Sequence, residues 1–275
     1  MRGETLGAGL IGIHQSFAET EHGQKLAARV RYERYKPEGV SNERWVKLLG
    51  ADVNNLTHLT LTYGLARSFV LHQEEADPNF LTNQEKETLL TAALIHDWAE
   101  AIVGDLSWDE KTEQAEAEEI AAFKRSLSEF YPEETGDIQQ QIQQARDEVI
   151  FNPDGRLGRM FNAIERVGYI RTALRASKHV IAGDAQDCEG GLRWIVGDVF
   201  GNHIIKTLEY AEDYPPVRMF LSNQLADIDV AFETVNSQVF DNYKPQQRGQ
   251  ERLDFDDAHL VWNDWVQSLA PDSKL

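Results

Sequence analysis

The sequence predicts an all-α protein. Three observations lead there. Apolar residues recur at spacings of three and four through most of the chain from Asn42 onward. Strings of the type Thr/Ser-x-x-Glu and isolated glycines supply helix starts and stops. The paired alternating runs and tight turns that announce hairpins are missing. At 275 residues, 41% of them apolar, the chain can bury a full core, and one helical domain with extensions is the default organisation.

Taken in order, residues 1–40 are mixed and turn-rich, ending at Lys36-Pro37-Glu38-Gly39, and are expected to form an extension that packs late or stays mobile. The run Leu6 to Ile13 is apolar but short and glycine-rich, with no small-residue cleavage site after it, so no signal peptide is expected. Asn54 to Glu75 carries two apolar stripes, Leu56/Leu59/Tyr63/Ala66/Val70 and Leu61/Leu65/Phe69, which predict a substantially buried helix. Thr82-Asn-Gln-Glu85 is a capping box opening a helix through Leu89 to Ile95, apolar nearly all round and therefore central, fading near Gly104. Ser107-Trp-Asp-Glu110 is a second capping box, opening an acidic helix to about Tyr131 whose carboxylates read as a solvated face. Gln139 to Gln144 is a polar helical run, and Asn152-Pro153-Asp154-Gly155 breaks the chain. A long helix over Arg156–Ala182 is stopped by Gly183, and helices near 192–213, 217–235 and 257–269 complete the chain. The expected divisions are an N-terminal extension (1–40), a core (41–182) and a C-terminal helical extension packed on it (183–275).

Charge narrows the function. The formal net charge is −19, from 27 basic and 46 acidic residues. Duplex binding depends on neutralising phosphates with Lys and Arg, so nonspecific nucleic-acid binding and anionic-membrane binding are not expected. A small phosphorylated ligand stays compatible, because a local site with a metal outweighs global charge. No apolar run approaches the roughly 20 residues that span a bilayer. Cys188 is alone, so no intramolecular disulfide forms, and a cytoplasmic location is expected.

The chemistry concentrates where the buried run ends. His96-Asp97 follows Ile95 directly, and an ionised Asp at the end of a core helix is costly unless a cation compensates it. His beside Asp is a natural nitrogen–oxygen ligand pair for a borderline transition metal. The bland alternative is a hydrogen-bonded core His with an Asp on the adjacent solvent side. Glu100 falls one helical turn after His96, Asp105 follows the glycine that ends the helix, and His58 projects from the other buried helix. Two buried helices could bring His58 opposite His96.

His58, Ala93-Leu-Ile-His96-Asp97-Trp-Ala-Glu100 and Val103-Gly104-Asp105-Leu106 together resemble the HD-domain phosphohydrolases, and most of all their 5'-deoxynucleotidase-like branch, with HD-x-x-E followed by G-D. The resemblance covers roughly Ser41 to Ala182 and implies an HD-type helical bundle for the core. It implies that His58, His96, Asp97 and a distant acid hold a divalent ion (Mn, Co, Zn, Fe or Mg, a transition metal favoured), while Glu100 and Asp105 serve catalysis. The distant acid of the family lies in a string like A-x-D-[KR]-[LV]; here the string is Ala163-Ile-Glu165-Arg-Val167, so Glu165 stands where the family has Asp. The branch also carries an Arg-Trp pair upstream of its first His. Arg44-Trp45 matches it, which implies Arg44 on a substrate phosphate and Trp45 on the nucleoside, consistent with a guanidinium fork and a stacking ring. The alternative is an amphipathic helix with Trp45 packed beside Leu48 and Leu49 and Arg44 in solvent.

The expected activity is hydrolysis of a small phosphorylated nucleotide, most simply a (deoxy)nucleoside monophosphate, with a homodimer compatible. Two alternatives stand beside it: a deoxynucleoside triphosphate triphosphohydrolase of the same superfamily, and a non-catalytic metal- or nucleotide-binding regulator. The stringent-response and GYP branches fit less well, because Glu100 is followed by Ala101 and the nearest GYP-like string is Gly168-Tyr169-Ile170.

Overall fold

The computed structural model describes residues 12, 14–104, 112–130, 136–235 and 253–269. Among them the fold is all-α, and the only sheet-like pairing is an isolated antiparallel bridge between Val30 and Asn54. In chain order the helices are α1 (Glu21–Ala27), α2 (Asn42–Leu49), α3 (Asn55–Ala76), α4 (Asn83–Ile95), α5 (Glu100–Val103), α6 (Glu113–Phe130), α7 (Gly136–Ala145), α8 (Arg156–Ala182), α9 (Glu189–Ile195), α10 (Gly201–Asp213), α11 (Pro215–Asn223), α12 (Leu225–Thr234) and α13 (Phe255–Leu269). They fall into two compact units, Met1–Arg31 with Ala51–Ile164, and Tyr32–Gly50 with Glu165–Leu275.

In the first unit α3 packs along α4, and α4 along α7. α4 starts as its sequence dictates: Thr82 accepts from the Glu85 amide and the Glu85 carboxylate accepts from the Thr82 amide, so two otherwise unpaired donors are satisfied reciprocally. α3 departs from its expected pattern. The stripe of Leu59, Tyr63, Ala66 and Val70 is buried, but Leu61 is 38% exposed and Leu65 half-buried. Phe69 of the second stripe is buried, and the other buried positions are polar ones, Asn55, His58, Thr62 and Gln73. A helix that buries a polar stripe must find partners for it, and that stripe carries the site.

The segment before α3 is not a loose extension. Thr20 caps α1 by accepting from the Gly23 amide, Phe17 stacks on Trp98 at 4.5 Å, and Phe17 and Leu26 are core residues. Of residues 14–31, Phe17, Leu26 and Val30 are thus held in the core of the first unit.

In the second unit, residues 32–50 are tied to chain far away in sequence. Asp198 is buried inside a single π-helical turn, Val196–Phe200, between α9 and α10. It accepts from Tyr35 Oη (2.5 Å), Arg34 Nη2 (2.9 Å) and Asn202 Nδ2 (2.6 Å). Gly191 sits so close that a Cβ there would come within 2.1 Å of the Tyr35 carbonyl oxygen and 3.2 Å of the Trp45 ring. These long-range contacts explain why the division differs from the expected one at 40/41 and 182/183. The single helix expected near 217–235 is two, α11 and α12, separated at Gln224, whose amide bonds back only three residues to Leu221. No helix among the described residues is long and apolar enough to cross a membrane.

Candidate metal centre

The centre lies in the first unit, where α4 ends. The α-helix stops at Ile95, and the amides of Trp98, Glu100, Ala101 and Ile102 each reach back only three residues. This tightened stretch turns about 120° per residue instead of about 100°. It carries His96, Asp97 and Glu100 in succession before α5 closes at Gly104, whose φ of +96° suits glycine. The helix expected to fade near Gly104 therefore changes geometry within the motif itself.

His96 uses both ring nitrogens. Nδ1 lies 3.2 Å from the Ala93 carbonyl, one of the acceptors a helix C-terminus leaves over. A proton on Nδ1 leaves Nε2 with its lone pair. Nε2 faces His58 Nε2 at 3.2 Å and Asp97 Oδ2 at 3.3 Å, and His58 Nε2 is 3.6 Å from the same oxygen. His58 reaches this point from the polar stripe of α3, with Thr62 Oγ1 3.4 Å away. The Phe161 ring meets His96 edge-on at 5.2 Å.

Three ligand-type atoms thus form a nearly equilateral triangle among buried side chains. Divalent transition metals hold N and O ligands at about 2.0–2.2 Å, which separates neighbouring tetrahedral ligands by roughly 3.3–3.6 Å. The observed sides match that spacing. Among the described residues these three form the group able to share one ion. Protonation favours the same role. Burial, aided by the charge of Arg31, drives the His58 imidazolium well below its ordinary pKa, leaving a neutral donor. Burial pushes the Asp97 carboxyl up, but His96 and the charge of Arg31 outweigh this and hold it well below the usual carboxylate range. Ligation requires neutral imidazole and ionised carboxylate. The negative pole of α4 adds to the attraction for a cation.

Glu100 stands beside this group without belonging to it. Its Oε2 accepts from Asn55 Nδ2 at 3.1 Å, and its carbonyl accepts from Arg29 Nη1 at 2.5 Å. Asn55 Oδ1 is buried with no hydrogen-bond partner among the described residues. Arg31 Nη1 approaches Asp97 Oδ2 at 3.3 Å. Sequence reasoning passed over Arg29, Arg31 and Asn55, since no spacing pattern links them to His96; the one hint is the pair Asn54-Asn55 ahead of His58.

Asp105 is outside the described residues. Glu165 is half-buried on α8 and belongs to the second unit, as do Arg44 and Trp45. Arg44 pairs with Asp187 at 3.1 Å, while Trp45 is fully enclosed, the arrangement of a packed amphipathic helix. No protein-family model, curated protein or solved structure matches the chain.

Proposed function

We propose that the chain is a metal-dependent phosphohydrolase of the HD type acting on small nucleotides, most simply on (deoxy)nucleoside monophosphates. The observation that carries the reading is the triangle of His58 Nε2, His96 Nε2 and Asp97 Oδ2, with sides of 3.2, 3.3 and 3.6 Å. A divalent ion held there supplies Lewis-acid polarisation of a phosphoryl oxygen and acidifies water.

The chain's own groups divide the remaining work. His58 and His96 offer neutral nitrogens, and Asp97 offers one negative charge. Glu100, its carboxylate steadied by Asn55, is the proton acceptor for attacking water, being near the ligands without being one of them. Phe161 shields one edge of His96 from solvent. Asp105 enters from the sequence likeness alone, as the group that handles the leaving-group proton or holds the sugar hydroxyl. Arg44 enters in the same way, as a phosphate contact, whereas Trp45, expected on the nucleoside, is fully enclosed and presents no open ring face.

A phosphate-release screen of nucleoside mono- and triphosphates with Mn²⁺, Co²⁺, Zn²⁺ and Mg²⁺ tests this. The expected result is inorganic phosphate from monophosphates, lost in His96→Ala. Release of tripolyphosphate from deoxynucleoside triphosphates would move the activity to a triphosphohydrolase. Metal uptake with no hydrolysis of any nucleotide would leave a binding protein.

A further inference from the structure

Arg31 makes an ion pair with a ligand atom of the centre. Its Nη1 lies 3.3 Å from Asp97 Oδ2, the same oxygen that faces both imidazoles, and the two side chains are only 15% and 14% exposed. A pair so enclosed is screened little by salt. Its position is built in. The Arg31 amide donates to the Val53 carbonyl at 2.6 Å, Val30 bridges to Asn54, and Asn54 Nδ2 bonds the carbonyl of Ala27 at 2.7 Å. The segment that carries Arg31 is thereby pinned to the start of α3, three residues before His58. The same segment sends Arg29 to the Glu100 carbonyl.

Charge then raises a question that a purely structural ion pair does not answer. Two neutral imidazoles and one carboxylate beside a divalent ion leave an excess of one positive charge. Among the described side chains, Arg31 adds another and Glu100 removes one. A buried excess of positive charge is costly unless an anion balances it. A guanidinium next to such a centre is suited to that anion, because its fork of N–H donors matches phosphate oxygens two at a time.

Resting on the metal-centre reading above, we infer that Arg31 is the anion-binding residue of the centre: it competes with a divalent ion for Asp97 Oδ2, and turns to a phosphoryl group when ion and phosphate are both present. Ion and phosphate therefore bind cooperatively, and by linkage each raises the other's affinity by the same factor. The ligand class is a phosphate monoester or inorganic phosphate, and the residue acts in binding, not in proton transfer.

The test is a calorimetric titration of chelator-treated wild type, Arg31→Gln and Arg31→Lys with Mn²⁺, followed by inorganic phosphate on the Mn²⁺-loaded proteins. Arg31→Gln keeps the backbone bond to Val53, and its folding is checked by circular dichroism. The expected result is Mn²⁺ binding at least as tight as wild type in Arg31→Gln, with phosphate affinity lowered by about tenfold or more, as loss of a charge-assisted contact implies. Arg31→Lys falls between the two. Unchanged phosphate affinity in Arg31→Gln, or weaker Mn²⁺ binding in that variant when folded, overturns the role of Arg31 while the metal centre stands. If Arg31→Gln does not fold, Arg31→Lys with wild-type phosphate affinity overturns it equally. Wild type that takes up no Mn²⁺ removes the centre itself, and this inference with it.

Discussion

His96 is tied to its helix through one ring nitrogen and offers the other to its neighbours. The Ala93 carbonyl at 3.2 Å from Nδ1 fixes the ring, and Nε2 meets His58 and Asp97 at 3.2 and 3.3 Å. Removing either member of the pair should empty the centre: elemental analysis is expected to find His96→Ala and Asp97→Ala depleted of the single ion per chain, and normal metal content in both would end the assignment. The same analysis on Glu165→Gln decides the size of the ligand set, since loss of the ion there would add Glu165 as a fourth. Glu100→Gln is expected to retain the ion yet lose turnover by about 10²–10⁴-fold, because an amide cannot accept water's proton; near wild-type rates would assign the role to another group. At this scale much of the centre was legible. The three residues that the structure brings together could be named, His96 and Asp97 because they end a buried apolar run and His58 because it projects from the other buried helix. Arg31 and Asn55 could not, since their roles depend on the bridge between Val30 and Asn54, a contact across sequence with no periodic trace.

The elements were readable where local chemistry decides them. The Thr82 capping box, the glycine stop at Gly183 (φ +65°) and the Asn152–Gly155 break all fix helix ends through side chains or backbone angles within a few residues. What was not readable depends on distant partners. The π-helical turn Val196–Phe200 holds the buried Asp198 between Tyr35 and Arg34, and nothing in its own string demands an extra residue per turn. Nor do Leu221 to Leu225 contain a glycine or proline to announce the break between α11 and α12. Trp45 illustrates the same limit. Its ring was equally compatible with stacking on a ligand and with packing, and only the approach of Gly191 on distant chain distinguishes a fully enclosed side chain. That approach gives a prediction. Gly191→Ala forces a methyl to within 2.1 Å of the Tyr35 carbonyl, which is backbone and cannot simply rotate away. Overpacking of this kind costs about 1–3 kcal/mol. Thermal unfolding should show the loss while metal content is retained, because the ligands belong to the other unit; an unchanged melting temperature would mean that α9 shifts freely.

Across the whole chain the net charge is −19, whereas at the centre Arg31 stands directly against Asp97. The two scales respond differently to salt. Raising ionic strength from about 0.01 to about 0.15 M shortens the screening length from about 30 Å to about 8 Å. Surface carboxylates then lose their reach, whereas contacts of 3.2–3.6 Å among buried groups barely change. The acidic surface draws cations in and repels anions, so the same change in salt should move the two ligands in opposite directions. Mn²⁺ affinity is expected to fall. At saturating Mn²⁺, kcat/KM for a nucleoside monophosphate is expected to rise, with kcat nearly constant, because the gain lies in the encounter and not in the chemistry. Stopped-flow binding and steady-state rates over that salt range read both quantities. A parallel fall of the two would mean that the substrate is guided by an extended positive surface instead of by the buried centre. That outcome would contradict an anionic ligand meeting its positive partners, the ion and Arg31, only at the end of its approach.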